Sequence, residues 1–380
     1  MKHRYLFLAV LALALSGCQE TQPASTPLGN NLAASPTSQP TASPGNQALA
    51  GPTISPGPTY RKMCDGSAGI ALDEKTLAMV SDEATSKPEE KNIVGLYPVT
   101  GEQPVLNIDL TSFLAVPTAH DAEHPETDFE AAARVGERIY WIGSHGRNKT
   151  GKLRLDRQRF FATDIKGAGE ALTLVPVAKP YVALLQDITS DVQLKQLGII
   201  DNGKSPNESG FNIEGLCATP DGKLMFGLRG PLASDGNAFL VPMENAAKVI
   251  ESEEKARFGK PFQLDLGKRG IRDIAYSETL GAYLIIAGPF KDEADFRLYR
   301  WSGKNEDAPV VIKDKTGKEI DFKFTEATLA DFTPEAVVIY PKQRRVQILS
   351  DDGDIKLDGV ENSKQPDDKR FFRSVWLTWE

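Results

Sequence analysis

A short motif recurs five times along the 380 residues, and in four copies an acidic residue opens it. The copies are Gly66-Ser67-Ala68-Gly69-Ile70-Ala71-Leu72, Phe129-Glu130-Ala131-Ala132-Ala133, Ile213-Glu214-Gly215-Leu216-Cys217-Ala218, Ile271-Arg272-Asp273-Ile274-Ala275-Tyr276 and Pro334-Glu335-Ala336-Val337-Val338-Ile339. Each is followed by a turn and a second apolar strand. The lead positions 67, 130, 214, 273 and 335 are 63, 84, 59 and 62 residues apart. That spacing holds four strands and their loops. A repeat of this length implies a radial or stacked array, because one unit cannot bury its apolar face alone.

From Tyr60 onward, short runs rich in Val, Ile, Leu, Phe and Tyr alternate with Gly, Pro, Asn and Asp clusters, which is the pattern of short strands. The second unit divides into Glu130 to Arg134, Arg138 to Gly143, Arg154 to Thr163 and Leu172 to Val177. That is a four-stranded antiparallel meander, the unit of a β-propeller blade. The chain is therefore expected to be all-β, a propeller of five blades over 58–380. Helical pattern is scarce and is clearest in Tyr181 to Leu197 and Asn245 to Arg257, which read as insertions. A sixth, degenerate blade in the 84-residue interval is the alternative. A β-sandwich would leave the repeated acid unexplained. The last unit lacks a fourth strand after Phe371 to Trp379, and the segment Thr59 to Met63 is expected to supply it.

The N-terminus carries a different signal. Lys2, His3 and Arg4 precede an apolar run from Tyr5 to Leu15, too short to span a bilayer. Leu15-Ser16-Gly17-Cys18 then resembles a bacterial lipobox, so 1–17 reads as a lipoprotein signal peptide and Cys18 as the lipidated (palmitate-bearing) residue. An ordinary signal peptide with an incidental cysteine is the alternative. Gln19 after the cysteine implies the outer membrane if the source is Gram-negative. Residues 18–57 are mostly Pro, Ser, Thr, Ala, Gly, Asn and Gln and cannot form a core, so they read as a disordered tether. An exported location permits a disulfide between Cys64 and Cys217, although Cys217 lies in an apolar run where a buried thiol is common. The net charge of −8 argues against a nucleic-acid partner.

Hairpin arithmetic locates a candidate site. Residues equidistant from a turn pair across it, so the Asp221-Gly222 turn sets Glu214 opposite Arg229. The same reasoning sets Glu130 opposite Gly143, with Ser144, His145 and Arg147 beyond it. Glu335 falls near Ser350, Ser67 near Ser81, and Asp273 near Ala287-Gly288-Pro289. In a propeller these ends share one face, at the channel mouth. Ser67, Glu130, Glu214, Asp273 and Glu335 are hard oxygen ligands and suit Ca²⁺. Arg147, Arg229 and Arg272 beside them suit an anion. The competing reading is a structural network in which arginines neutralise buried acids.

Zinc is disfavoured, since the histidines His3, His120, His124 and His145 form no His/Cys cluster. His120 and His124 are four apart, but Pro125 follows them. Gly146-Arg147-Asn148-Lys149-Thr150-Gly151-Lys152 nearly matches a phosphate loop, yet Leu153 replaces the required Ser/Thr. No Gly-x-Ser-x-Gly occurs in the folded part.

Several strings together resemble a bacterial family of secreted propeller-like proteins labelled only as a domain of unknown function. They are Gly143-Ser144-His145-Gly146-Arg147, Arg157-Gln158-Arg159-Phe160-Phe161, Phe211-Asn212-Ile213-Glu214-Gly215-Leu216, Gly227-Leu228-Arg229-Gly230-Pro231, Gly270-Ile271-Arg272-Asp273 and Ala287-Gly288-Pro289. The resemblance spans about 60 to 380 and implies no activity. A more distant likeness is to calcium-activated apyrases, five-bladed propellers with a channel calcium. It implies metal roles for Ser67, Glu130, Glu214, Asp273 and Glu335, although Asp273 departs from that family's Ser/Glu choice. The Glu-Gly-Leu string is also similar to phytase-like and esterase-like propellers.

These readings converge on a monomeric, lipid-anchored propeller facing the periplasm, with calcium at its axis. It is either a calcium-dependent hydrolase of a phosphorylated or esterified small molecule or a non-catalytic lipoprotein that binds an anionic ligand or an envelope protein. In the hydrolase, His145 is the general acid/base candidate. Arg147, Arg229 and Arg272 then stabilise developing negative charge.

Overall fold

The computed structural model describes residues 50–82, 92–116, 126–291 and 294–380. Cys18, the signal peptide, most of the tether, His120 and His124 lie outside the described residues.

Five four-stranded antiparallel sheets form the blades of a propeller. Blade I contains Ala68–Ala71, Thr76–Val80, Ile93–Pro98 and Leu106–Asp109, and blade II contains Phe129–Val135, Arg138–Gly143, Phe160–Lys166 and Thr173–Tyr181. Blade III contains Asn212–Ala218, Leu224–Gly230, Ala238–Met243 and Phe262–Leu264. Blade IV contains Gly270–Ser277, Ala282–Gly288, Arg297–Trp301 and Val310–Val311. Blade V contains Thr333–Ile339, Arg345–Asp351 and Ser374–Thr378, and its outermost strand is Thr53–Pro56. The inner strands touch in the order I, II, III, IV, V and back to I, so the ring is closed.

The physical logic is period-2 alternation on both blade faces. In the strand Arg138–Gly143, Ile139 and Trp141 pack towards blade I, while Tyr140 and Ile142 pack towards blade III. Buried apolar clusters fill the I–II, II–III, III–IV, IV–V and V–I interfaces in the same way. The indole N–H of Trp141 is satisfied by Thr163 Oγ1 at 3.0 Å.

Three expectations are corrected. The ring is closed by Thr53–Pro56, which lies in the presumed tether; Thr53 pairs with Thr378 and Pro56 with Val375. Tyr60–Arg61 instead forms a separate two-stranded pairing with Phe371–Phe372. The folded part therefore begins before residue 58. The third strand of blade II is Phe160–Lys166, because Arg157 and Arg159 ahead of it turn inward. Arg157 meets Glu126 and Asp128, and Arg159 donates to the carbonyls of Leu114 and Ala115.

The long interval between the second and third repeats holds the helices Leu184–Ser190 and Val192–Gln196 instead of a blade. Another short helix, Ala246–Ser252, falls inside the second predicted helical stretch. Cys64 and Cys217 are both buried and are not bridged to each other.

Candidate cation and anion site in the axial cavity

Four of the five inner hairpins share one irregularity. The register shifts between Phe129 and Ala131, Ile213 and Gly215, Ile271 and Asp273, and Pro334 and Ala336. The residues left unpaired are Glu130, Glu214, Arg272 and Glu335. A bulge adds one residue to one strand and re-aims its side chain. Here the bulges turn three carboxylates and one guanidinium towards the axis. They line an open cavity of about 1230 Å³.

One carboxylate oxygen each of Glu130, Glu214 and Glu335 lie within 4.8 Å of one another. Arg272 sits among them. Its Nη2 donates to both Glu335 oxygens at 2.6 and 2.7 Å, and its Nε lies 3.0 Å from Glu214 Oε2. Arg229 Nη1 donates to Glu214 Oε1 at 2.9 Å, and Asn212 Nδ2 donates to the same oxygen at 2.6 Å. Burial alone would lower the Arg272 pKa, but Glu214 and Glu335 together raise it. Burial pushes Glu335 up to about 7; Arg272 opposes this and Glu214 adds to it.

A second group of oxygens adjoins the first. One oxygen each of Asp82, Asp128 and Glu130 also lie within 4.8 Å of one another. Arg157 Nη1 pairs with Asp128 Oδ2 at 2.9 Å, and Ser67 Oγ lies 3.1 Å from Asp82 Oδ1. Glu130 belongs to both groups. It is 7% exposed, and among the described residues its carboxylate has no ion pair or hydrogen bond. Burial, then Glu214, Asp128, Asp82 and Glu335, push its pKa well above the usual carboxylate range.

Not every predicted residue reaches the cavity. Asp273 is one position past the bulge, and its carboxylate accepts from the amides of Ile274 and Val337, each at 2.7 Å. It stitches blade IV to blade V, and burial raises it to about 8 despite those bonds. Arg272, not Asp273, occupies the blade IV position equivalent to the glutamates. Ser67 is fully buried behind Asp82, with Oγ also 2.9 Å from Asp65 Oδ1.

Arg147 lines the rim but is engaged by both oxygens of Asp201, at 2.8 and 2.7 Å. Arg229 lines the wall and also donates to the Phe290 carbonyl. His145 is outside the cavity lining. Its buried Nδ1 lies 2.8 Å from the Gly143 carbonyl, which only accepts, so Nδ1 carries a proton, and burial of an Nε2 without a hydrogen-bond partner among the described residues favours the neutral ring.

Hairpin arithmetic found Glu214–Arg229, and the Ser81 and Ser350 ends it named stand one residue before Asp82 and Asp351. It missed Asp128 and Arg157. Asp128 precedes its strand in a left-handed backbone conformation (φ 55°), and Arg157 lies in a stretch read as strand.

His145 supplies a pH prediction. Burial, opposed by the Gly143 bond and aided by Arg159, lowers its pKa from 6.5 to about 4. Between those values the unfolded chain takes up a proton that the folded protein refuses. Stability from this group is therefore full above pH 6.5 and is lost as pH falls towards 4, by about 3 kcal/mol. Urea unfolding at about pH 7 and pH 4 should show that His145→Asn reduces this loss. An unchanged difference would contradict the buried neutral imidazole.

Residues 175–354 match a family described as "Protein of unknown function (DUF3616)". The matched span contains Glu214, Arg229, Arg272, Asp273 and Glu335, and it begins after Glu130 and His145. No curated protein matches the chain. Solved structures with similar arrangements include a putative oxidoreductase (glucose dehydrogenase) from Thermus thermophilus, at 11% identity and TM-score 0.40, covering 86% of this chain and 100% of that one. A GH43_1 enzyme from Xanthomonas citri aligns at 10% identity and TM-score 0.40, covering 86% and 90%. A luciferin-regenerating enzyme aligns at 9% identity and TM-score 0.39, covering 86% and 95%.

Proposed function

We propose that this propeller binds an anionic small molecule through a calcium-type cation held in its axial cavity, as a lipid-anchored envelope protein facing the periplasm. The Glu130 carboxylate carries this reading. A buried carboxylate without a direct ion pair or hydrogen bond is costly. A hard divalent cation would satisfy it together with the neighbouring oxygens. The arginines give the same cavity a complementary anion-binding character. The lipobox-like Leu15-Ser16-Gly17-Cys18 supports the anchor.

Hydrolysis of a phosphoester or ester is the second reading, favoured by the carboxyls whose protons are held by burial. In Asp351 the rise comes from burial, then Asp82 and Glu335. Glu335, raised to about 7, can donate or accept a proton near neutrality. His145 is not placed for that task, which is why binding is preferred.

Calcium at about 100 times its dissociation constant should stabilise the fold by about 2.7 kcal/mol. Glu130→Gln should remove most of that shift. Calorimetric titration with CaCl₂, followed by a phosphoester and ester panel with calcium or chelator, tests both readings. No calcium uptake would overturn the first, and calcium-dependent turnover would establish the second.

A further inference from the structure

We infer that the cation seat is off the propeller axis, built by Asp82, Asp128 and Glu130 from blades I and II, and that Arg272 is the resident counter-charge on the axis itself. This inference rests on the cation reading above and specifies where the ion sits. The two oxygen groups share Glu130 but differ in what already neutralises them. On the axis, Glu214 and Glu335 are both engaged by Arg272, and Glu214 also by Arg229. A divalent ion added there would meet a buried guanidinium at close range, and like charges repel strongly where water is scarce.

The blade I and II side is the more electronegative. Only Asp128 of the three is ion-paired to an arginine, Arg157, which also pairs with Glu126 at 2.7 Å and acts on Asp82 and Glu130 through space. Asp82 contributes an oxygen supported by the neutral hydroxyl of Ser67. Glu130 has no partner among the described residues and lines the cavity. Three carboxylates against one shared arginine leave negative charge for an ion to balance. Oxygen-only ligation with room for further ligands from the cavity fits Ca²⁺ better than a transition metal. The axis side, with Arg272 and Arg229 on the opposite wall, is left to orient an anionic group of the bound molecule. The cavity is thus divided, with the cation beside Arg157 on blades I and II, and Arg229 and Arg272 on blades III and IV.

The test is calorimetric titration of the full chain with CaCl₂ alone, with circular dichroism to confirm folding. Wild type should bind one ion. Asp82→Asn and Glu130→Gln should each weaken binding by at least ~10-fold, the scale on which loss of a metal-site partner is felt. Glu335→Gln, and Glu214→Gln as a second axial variant, should leave binding nearly unchanged. Loss in the axial variants with retention in Asp82→Asn would overturn the off-axis seat and leave the cation reading standing. Loss of comparable size in all four would also overturn it. No uptake by the wild type would overturn both readings.

Discussion

Replacing Arg272 by methionine should destabilise the protein by about 3–5 kcal/mol, the cost of removing one partner from a buried ion pair. The guanidinium is largely buried, the side chain being 11% exposed, and holds two carboxylates from different blades. Methionine fills similar space but leaves Glu214 and Glu335 facing each other and Glu130 within 4.8 Å. The folded state would then relieve the repulsion by taking up protons, so the loss should be greater at about pH 8 than at about pH 5. Adding Glu335→Gln to Arg272→Met should recover part of the loss, since it removes one stranded charge. Urea unfolding of the single and double variants measures this. A change under about 1 kcal/mol, the size seen for exposed pairs, would show that Arg272 is not the axial counter-charge.

Removing the closing strand should have the next largest effect. A chain beginning at residue 58 loses Thr53–Pro56, whose partner Ser374–Thr378 then becomes an open edge. The strand contributes backbone bonds worth about 1 kcal/mol each and the partly buried Ile54, which packs against the blade IV–V core. Gly57 N–H also donates to the Ser374 carbonyl at 2.8 Å, and Lys315 N–H to that of Pro52 at 3.1 Å. A chain beginning at residue 50 should unfold like the full protein. One beginning at 58 should lose about 3 kcal/mol and expose a strand edge prone to association. Equal urea midpoints for the two chains would show that the strand does not hold the ring shut.

Much of this architecture is legible in the residue order because blades are local objects. Strand, turn and return strand are adjacent in sequence, so alternation and turn chemistry set the register. The Asp221-Gly222 turn placed Glu214 against Arg229, and the ion pair at 2.9 Å is there. Glycine serves that turn because Gly222 takes a positive φ of 80°. The closing strand was less legible. Its four residues lie in Pro-rich sequence and pair with the far end of the chain, which no local pattern reports.

The site was legible in type and less so in membership. Glu130, Glu214 and Glu335 could be named from their repeat, but a bulge moves the axial position by one residue. That shift exchanges Asp273 for Arg272 and reverses the sign of the charge in blade IV. His145 looked available for chemistry because it follows a strand end. Its backbone turns it inward, against Gly143.

Residue order alone thus determined five strand meanders, the acids that open four of them and the polar ends of their hairpins, since each depends on contacts within a few tens of residues. Tertiary structure decided which strand closes the ring, that Arg272 holds the axis, and that Glu130 stands without a partner among the described residues. Those depend on distances between blades, and pairing inside one blade says nothing about which charges meet across the cavity.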